Sequence, residues 1–392
     1  MGKYKTQIAI IGGGITGLWL VNLLRSRGYE ALLFEKAGLG GEQTFASQGM
    51  IHGGLKYALG GMTTPASESI ADMPEVWRRC LAGDGDVDLS GLSILSEDYF
   101  LFSDAALSSK VTAFFASKSL EARISAIKRK DFTGIFRSPK FKGRLYRLQD
   151  IVLDTPALVT KLMSNYQDFI FQCGPKVLLK SKKIVGLQLS EGDVLEADCY
   201  IFAAGAGNED LLKETSLENI SMQRRPVQQV MVKGKLPKIY AHAVSLQSTN
   251  KPRVTFTSHP SDDGETVWYL GGNLAEKGVG KTAEEVIRKA KSELGSLLPW
   301  VDLTNTAWAT LNIDRAEPSQ RLKTRPEFPF VEAKDNALVC WPTKLTLCPM
   351  LGQDVLQIIE NKNLPKSRKE KEALPNLPLA PVAQTPWEIA FG

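Results

Sequence analysis

The chain has 392 residues, of which 43% are hydrophobic and 23% charged, with a net charge of +5. These are the proportions of a soluble globular protein, and the length predicts two lobes instead of one core. No apolar run reaches the roughly 18 residues that a membrane span requires, and the opening residues run into a strand without the apolar stretch of a secretory signal. Five cysteines, Cys80, Cys173, Cys199, Cys340 and Cys348, are odd in number, scattered and without CxxC spacing. That predicts a reducing, cytoplasmic setting with no disulfide frame and no zinc or other metal site.

In chain order, residues 7–11 read as a buried strand. Residues 15–27 follow as a helix with Leu18, Val21 and Leu24 on one face, ended at Gly28. Residues 30–34 are a second buried strand, which completes a unit of βαβ size. Gly12-Gly13-Gly14-Ile15-Thr16-Gly17 is a GxGxxG placed after a strand and at the opening of a helix, the context this motif requires. Gly12 permits the turn, Gly14 lets backbone approach a pyrophosphate, and Gly17 lets the helix lie close on the strand. Ile15 and Thr16 begin the helix, whose N-terminus offers free N–H groups and a positive dipole to phosphates. Glu35 ends the second strand 18 residues after Gly17, with Lys36 beside it. A carboxylate there accepts both ribose hydroxyls and disfavours the 2′-phosphate of NADP, so the unit predicts a site for the ADP half of FAD or NAD.

Residues 66–140 are mixed, with a helical reading over 108–128. Between Lys128 and Arg147 lie eight Lys/Arg against one acid, Asp131. This is either a solvated basic face or a docking patch for an acidic partner or a membrane surface. No nucleic-acid motif accompanies it, and no nucleic-acid partner is expected. Residues 155–163 read as a helix, 177–189 as a hairpin about 181–183, and 198–203 as a buried strand. Segments 227–232, 254–257 and 267–270 fit an antiparallel sheet, and 283–298 an amphipathic helix. From 361 onward charge and proline predict a loose tail. The expected fold class is α/β in two lobes. A Rossmann-like dinucleotide-binding lobe (1–65, 141–222 and 330–360), assigned to FAD by residues 44–57, is interrupted by an antiparallel-sheet substrate lobe (66–140 and 223–329).

Residues 44–57, from Thr44-Phe45-Ala46-Ser47-Gln48-Gly49-Met50 into Ile51-His52-Gly53-Gly54-Leu55-Lys56-Tyr57, are small and polar in a way that separates FAD from NAD proteins. Here the chain resembles the D-amino-acid oxidase and glycine oxidase superfamily of FAD enzymes. Residues 51–57 look most like those of FAD-dependent glycerol-3-phosphate dehydrogenases, and 2-hydroxyglutarate oxidases have a similar segment. The resemblance implies that Thr44, Ala46, Ser47, Gln48, Gly49 and Ile51 run along the flavin and end beside its ring. It implies the same cofactor contact for the strand end Ala203-Ala204-Gly205. Thr343-Lys344-Leu345-Thr346 would meet the N1/C2=O edge of the ring, and Val177 would reach the adenine. Lys344 stands where relatives carry glycine or a small residue.

The resemblance also leaves roles open. His52 is a catalytic base, a covalent flavin anchor as in dimethylglycine dehydrogenases, or a ring held by hydrogen bonds beside the flavin. Arg315 stands where relatives hold a substrate carboxylate or phosphate, or else it pairs with Asp314 or Glu317. Tyr269 joins His52 and Arg315 as a candidate catalytic group, and it and Tyr57 line the pocket or else belong to the core. Cys348 reads as a buried thiol, and His242 and His259 as surface residues. The resulting expectation is an FAD-dependent oxidoreductase that takes hydride from the CH–OH of a 2-hydroxy acid or polyol phosphate. The donor would be small and anionic, and the sequence leaves the electron acceptor unspecified. The alternatives are an amine or amino-acid oxidase, or a flavin-holding assembly or modification factor without a free small-molecule substrate.

Overall fold

In the computed structural model, strand β1 (Lys3–Ile11) is buried over its last six residues because both sheet faces there are covered. The structure describes residues 2–54, 70–103, 124–189, 192–213, 215–244, 251–366 and 374–392. β1 lies parallel between β2 (Ala31–Glu35) and β12 (Val194–Phe202), with Ile8 facing Ala31 on one side and Cys199 on the other. β9 (Ile170–Gln172) extends the sheet beyond β2, and β19 (Ala337–Trp341) extends it beyond β12, again in parallel. Antiparallel additions are β18 (Phe330–Lys334) on β19 and the hairpin β10 (Lys176–Lys180) and β11 (Lys183–Gln188) on β12. The hairpin turns where expected, with Ser181 and Lys182 both at positive φ.

Helix α1 (Ile15–Ser26) is buried from Ile15 through Leu24, because it is sandwiched and not merely amphipathic. Its covers are the sheet, α3 (Thr155–Asn165) and α7 (Cys348–Asn361). A Cβ at Gly352 of α7 would stand 2.7 Å from the Trp19 indole nitrogen, so that crossing requires glycine. Helix α2 (Met73–Ala82) closes the same core, with Trp77 against Trp19 at a ring separation of 4.9 Å. A small sheet of β3 (Met50–Ile51), β8 (Ile151–Leu153) and β4 (Ile94–Ser96) sits beside it.

The second lobe is an eight-stranded sheet. Its order is β17 (Ala307–Pro318), β13 (Met222–Gly234), β16 (Thr266–Gly271), β15 (Val254–Pro260), β14 (Ala241–Val244), β5 (Tyr99–Ser103), β7 (Arg144–Leu148), β6 (Ile124–Ala126). It is antiparallel except where β14 runs parallel to β5. Helix α6 (Ala283–Leu297) covers it, begun by a Thr282–Glu285 capping box of the kind that stabilises a helix start. Short helices α4 (Asn208–Leu212) and α5 (Asn273–Glu276) flank the cleft between the lobes.

Four expectations change. Residues 124–126, read as the end of a helix, form strand β6, while 104–123 lie outside the described residues. Strand β7 belongs to the second sheet, so the chain rejoins the first lobe after 148 and not at 141. His242 and His259 are core residues, not surface ones, because β14 and β15 are covered on both faces. Over residues 374–392 the tail is not loose: Leu379 and Val382 bridge to Phe171 and Leu39, and α8 (Pro386–Phe391) packs on the second sheet through buried Trp387. The basic residues of 128–147 are exposed above a buried layer of Phe132, Ile135, Phe136 and Phe141. Among the described residues no helix is long and apolar enough to cross a membrane.

Candidate active site

One cavity of about 1680 Å³ runs between the lobes, from the Gly12–Thr16 turn and Glu35 to Arg315 and Lys344. Drug-sized ligands occupy roughly 300–1,000 Å³, so this space takes a dinucleotide together with a small second ligand. At its first end the turn is built by contact. A Cβ at Gly12, where φ is +115°, would stand 2.5 Å from Ala204 Cα, and one at Gly17 would stand 1.9 Å from the Gly12 carbonyl oxygen. Gly17 therefore packs α1 onto β1 and does not line the cavity. Gly14 differs: its nearest neighbour to an added Cβ is Thr44 Oγ1 at 3.4 Å, so the space in front of it is open to a ligand.

The same Thr44 hydroxyl accepts from the Ile15 N–H at 3.0 Å, answering one of the donors that a helix start leaves unpaired. Glu35 accepts from the Gly13 N–H at 2.6 Å on one oxygen and from the Ala37 N–H at 2.8 Å on the other. Each oxygen keeps a further lone pair, which suits ribose hydroxyls. Lys36, Ala203, Ala204 and Gly205 complete this wall.

The segment from Gln43 to His52 is held from both lobes. Gln43 Oε1 accepts from the Ala316 N–H at 3.1 Å, and Gln48 Nε2 donates to the Tyr269 carbonyl at 2.8 Å. Tyr269 itself is fully buried, with its hydroxyl on the Gln229 amide oxygen (2.6 Å) and the Ala46 carbonyl (3.0 Å). Burial drives its hydroxyl far above the ordinary range. The expectation that it lines the pocket as a catalytic group is corrected: it braces the segment from behind. His52 lines the cavity. Its backbone N–H donates to Thr346 Oγ1, which returns a bond to the His52 carbonyl, both at 3.3 Å.

Gly49, Ile51 and Thr346 lie behind the lining, as packing and backbone support. Val177 is half-buried against the core of the first sheet, and Cys173, Gly174 and Pro175 reach the cavity in its place. Alanine 46, Ser47, Gln48, Thr343 and Leu345 do line it, while Tyr57 lies outside the described residues.

The far wall is cationic. Arg315 on β17 faces Arg225 on β13 directly across the ladder, an arrangement that costs energy unless acids intervene. Glu317 intervenes for Arg225, as a buried bidentate partner that also accepts from Gln223 Nε2 at 2.9 Å. Asp314 turns to Arg224 at 3.5 Å. Neither acid therefore holds Arg315. Its Nε donates to the Arg225 carbonyl at 3.2 Å, and Glu276 of α5 stands 3.8 Å from Nη2.

Burial, with Arg225 and Arg325 nearby, lowers the Arg315 guanidinium to about 10. Lys344 donates to the Glu327 carbonyl at 2.8 Å, and burial together with Arg325 brings it down to about 7. For Glu276, burial acts upward, but the hydrogen bond and charge of Lys251 prevail and hold the carboxyl below its usual value. Sequence reasoning missed Gln43, Arg225, Arg325 and Glu276, which carry no motif and meet only through strand register, loop placement and the short helix α5. No cluster of His, Cys, Asp or Glu suited to a metal occurs among the described residues.

A glycine cradle opening on a helix start, an acid whose oxygens keep lone pairs suited to ribose and a charged second chamber are the parts a dinucleotide-dependent oxidoreductase requires. The chain matches the FAD dependent oxidoreductase (DAO) family over residues 7–333, and it belongs to that family, with FAD as its cofactor. It is 46% identical over 391 residues to the probable FAD-dependent oxidoreductase PA4991 of Pseudomonas aeruginosa, covering 99% of this chain and 98% of that protein. The crystal structure of that protein matches with a TM-score of 0.86 over 100% of both chains. Two more distant structures share the fold. Glycine oxidase of Bacillus cereus is 18% identical, with a TM-score of 0.62 over 94% of this chain and 100% of that one. L-alpha-glycerophosphate oxidase of Mycoplasma pneumoniae is 13% identical, with a TM-score of 0.64 over 94% and 97%.

Proposed function

We propose that this oxidoreductase acts on a small anionic donor, a 2-hydroxy acid or a polyol phosphate, at the carbon that bears the hydroxyl. Bound FAD supplies the hydride acceptor. The Gly12–Gly14 turn, Glu35, Thr44 and Ser47 are the residues that fit its nucleotide and ribityl portions. Arg315 carries the reading: its guanidinium lines the cavity while Glu317 and Asp314 are occupied by other arginines. A planar fork held by a strand fixes a carboxylate or phosphate at two points and so orients the reacting carbon. His52, anchored through Thr346, is the residue suited to take the hydroxyl proton. The likeness of residues 51–57 to glycerol-3-phosphate dehydrogenases and 2-hydroxyglutarate oxidases supports a CH–OH donor.

One observation favours an amino-acid donor instead. Glu276 lines the cavity beside Arg315, so a carboxylate on the arginine would leave an acid near the ammonium group. Lys251, 2.5 Å from Glu276, already satisfies that acid, which places this reading second. Anaerobic titration of the yellow protein with hydroxy acids, sugar phosphates and amino acids separates them. Bleaching by a hydroxy acid or polyol phosphate, and not by its neutral amide or alcohol analogue, is expected. Bleaching by amines alone would establish the second reading, and persistent colour with every donor would point to a flavin-holding assembly or modification role.

A further inference from the structure

We propose that residues 374–392 form a latch that closes the cofactor chamber and retains FAD, a part of the binding site that lies outside the family match ending at residue 333. The inference depends on the FAD assignment and not on the choice of donor. One end of the segment is tied to the first lobe by backbone bonds. Gln172 N–H donates to the Pro378 carbonyl at 2.7 Å, Ala380 N–H to Ile170 at 3.1 Å, Leu39 N–H to Pro381 at 2.8 Å, and Ala383 N–H to Leu39 at 3.0 Å. These bonds fall on β9 and on the loop after Glu35, the loop that borders the Glu35 side of the cavity. Ala383 then lies on Gly38 and Gly41, where an added Cβ would stand 3.0 and 2.9 Å from its methyl group.

The other end is pinned to the second lobe. Helix α8 begins with a Thr385–Glu388 capping box, which sets its entry angle. Trp387 is then inserted against His259, stacked at 4.6 Å, and Tyr269, edge-on at 6.2 Å. Burial lowers the His259 imidazole to about 3, so it faces the indole as a neutral ring. Tyr269 is also the residue whose hydroxyl holds the Ala46 carbonyl, so the socket for the pin and the flavin-lining segment share one side chain.

Between its two anchors the segment crosses the cleft, and Ala383, Gln384 and Ile389 line the cavity. Ile389 is 70% exposed although it is a large apolar side chain on the rim of the chamber. A ligand beneath such a span leaves only when one anchor opens, so the anchors set the rate of release.

The test follows flavin fluorescence as the yellow protein is diluted, comparing the full chain with Trp387→Ala and with a chain ended after Gln384. Release is expected to accelerate at least about tenfold in both, with Trp387→Phe restoring most of the retention. Rates within about twofold of the full chain would overturn the latch. Hydrogen exchange on the unaltered chain tests it without any variant. Amides of residues 379–391 should exchange more slowly with FAD bound than without it, and equal exchange in the two forms would overturn the proposal.

Discussion

The two walls of the cavity are made of different material. On the first-lobe side the ligand meets backbone: glycines at the end of β1, a helix start, and one acid whose oxygens are set by the Gly13 and Ala37 N–H groups. On the second-lobe side it meets long charged side chains, Arg225 and Arg315, standing opposite each other on β13 and β17. A wall of backbone recognises one shape and tolerates almost no change, because its contacts have no side chain to adjust. A wall of side chains is easily retuned, because one strand position exchanges one charge for another while the ladder beneath persists. On the proposed assignment, the cofactor is addressed by the rigid part of the molecule and the donor by the adjustable part.

The contrast can be broken most severely at the glycines. Gly17→Val should prevent folding, since its side chain would collide with the Gly12 carbonyl at a cost of about 3 kcal/mol or more. Gly14→Val should fold with an unchanged far-ultraviolet spectrum and purify colourless, because only the ligand's space is taken. A yellow Gly14→Val protein would refute the backbone approach.

On the other wall Arg315→Leu should leave FAD content intact and weaken the productive donor by roughly 2–5 kcal/mol in kcat/KM, with lysine rescuing in part. Unchanged kinetics with a fall in melting temperature would make Arg315 a structural residue.

Lys344 offers a smaller, graded effect. Its ammonium is brought from an ordinary 10.5 to about 7, so the charge it offers to an anion is present below that pH and lost above it. KM for an anionic donor should rise several-fold between pH 6 and 8.5, and Lys344→Met should flatten that rise. Folding carries the opposite signature. The unfolded chain keeps the proton up to 10.5 while the fold sheds it above 7, so the Lys344 contribution to stability improves as pH rises across that window. The smallest expected effect is none. Acid precipitation should leave FAD in the supernatant, and His52→Gln should keep its flavin content, whereas a yellow pellet would reveal a covalent link.

These outcomes bear on how much of the molecule was legible without coordinates. The βαβ unit was legible because each of its glycines answers a local backbone need, and helix α6 because its cap and period lie within one segment. Tyr269 was misplaced because β-alternation says which face a side chain takes and not what lies behind that face, here Ala46 and Trp387 from opposite ends of the chain. Residue type predicts exposure for His242 and His259, while their strands are covered on both sides. The tail's proline content suggested disorder, yet Pro378 and Pro381 offer carbonyls to sheet-edge N–H groups, a role that needs no N–H of their own. Arg225 and Arg325 were silent, because strand register and loop placement alone bring them to Arg315.

The five cysteines, counted at first only for their spacing, gain a different meaning once their surroundings are known. All five are buried. Burial raises the thiols of Cys80 and Cys348 and drives those of Cys199 and Cys340 up to about 12, Cys340 lining the chamber itself. Oxidants and alkylating reagents attack the thiolate and not the thiol. Cys340 on the chamber wall is thus held as the thiol, the form that resists oxidation and alkylation even where a reagent reaches the cavity.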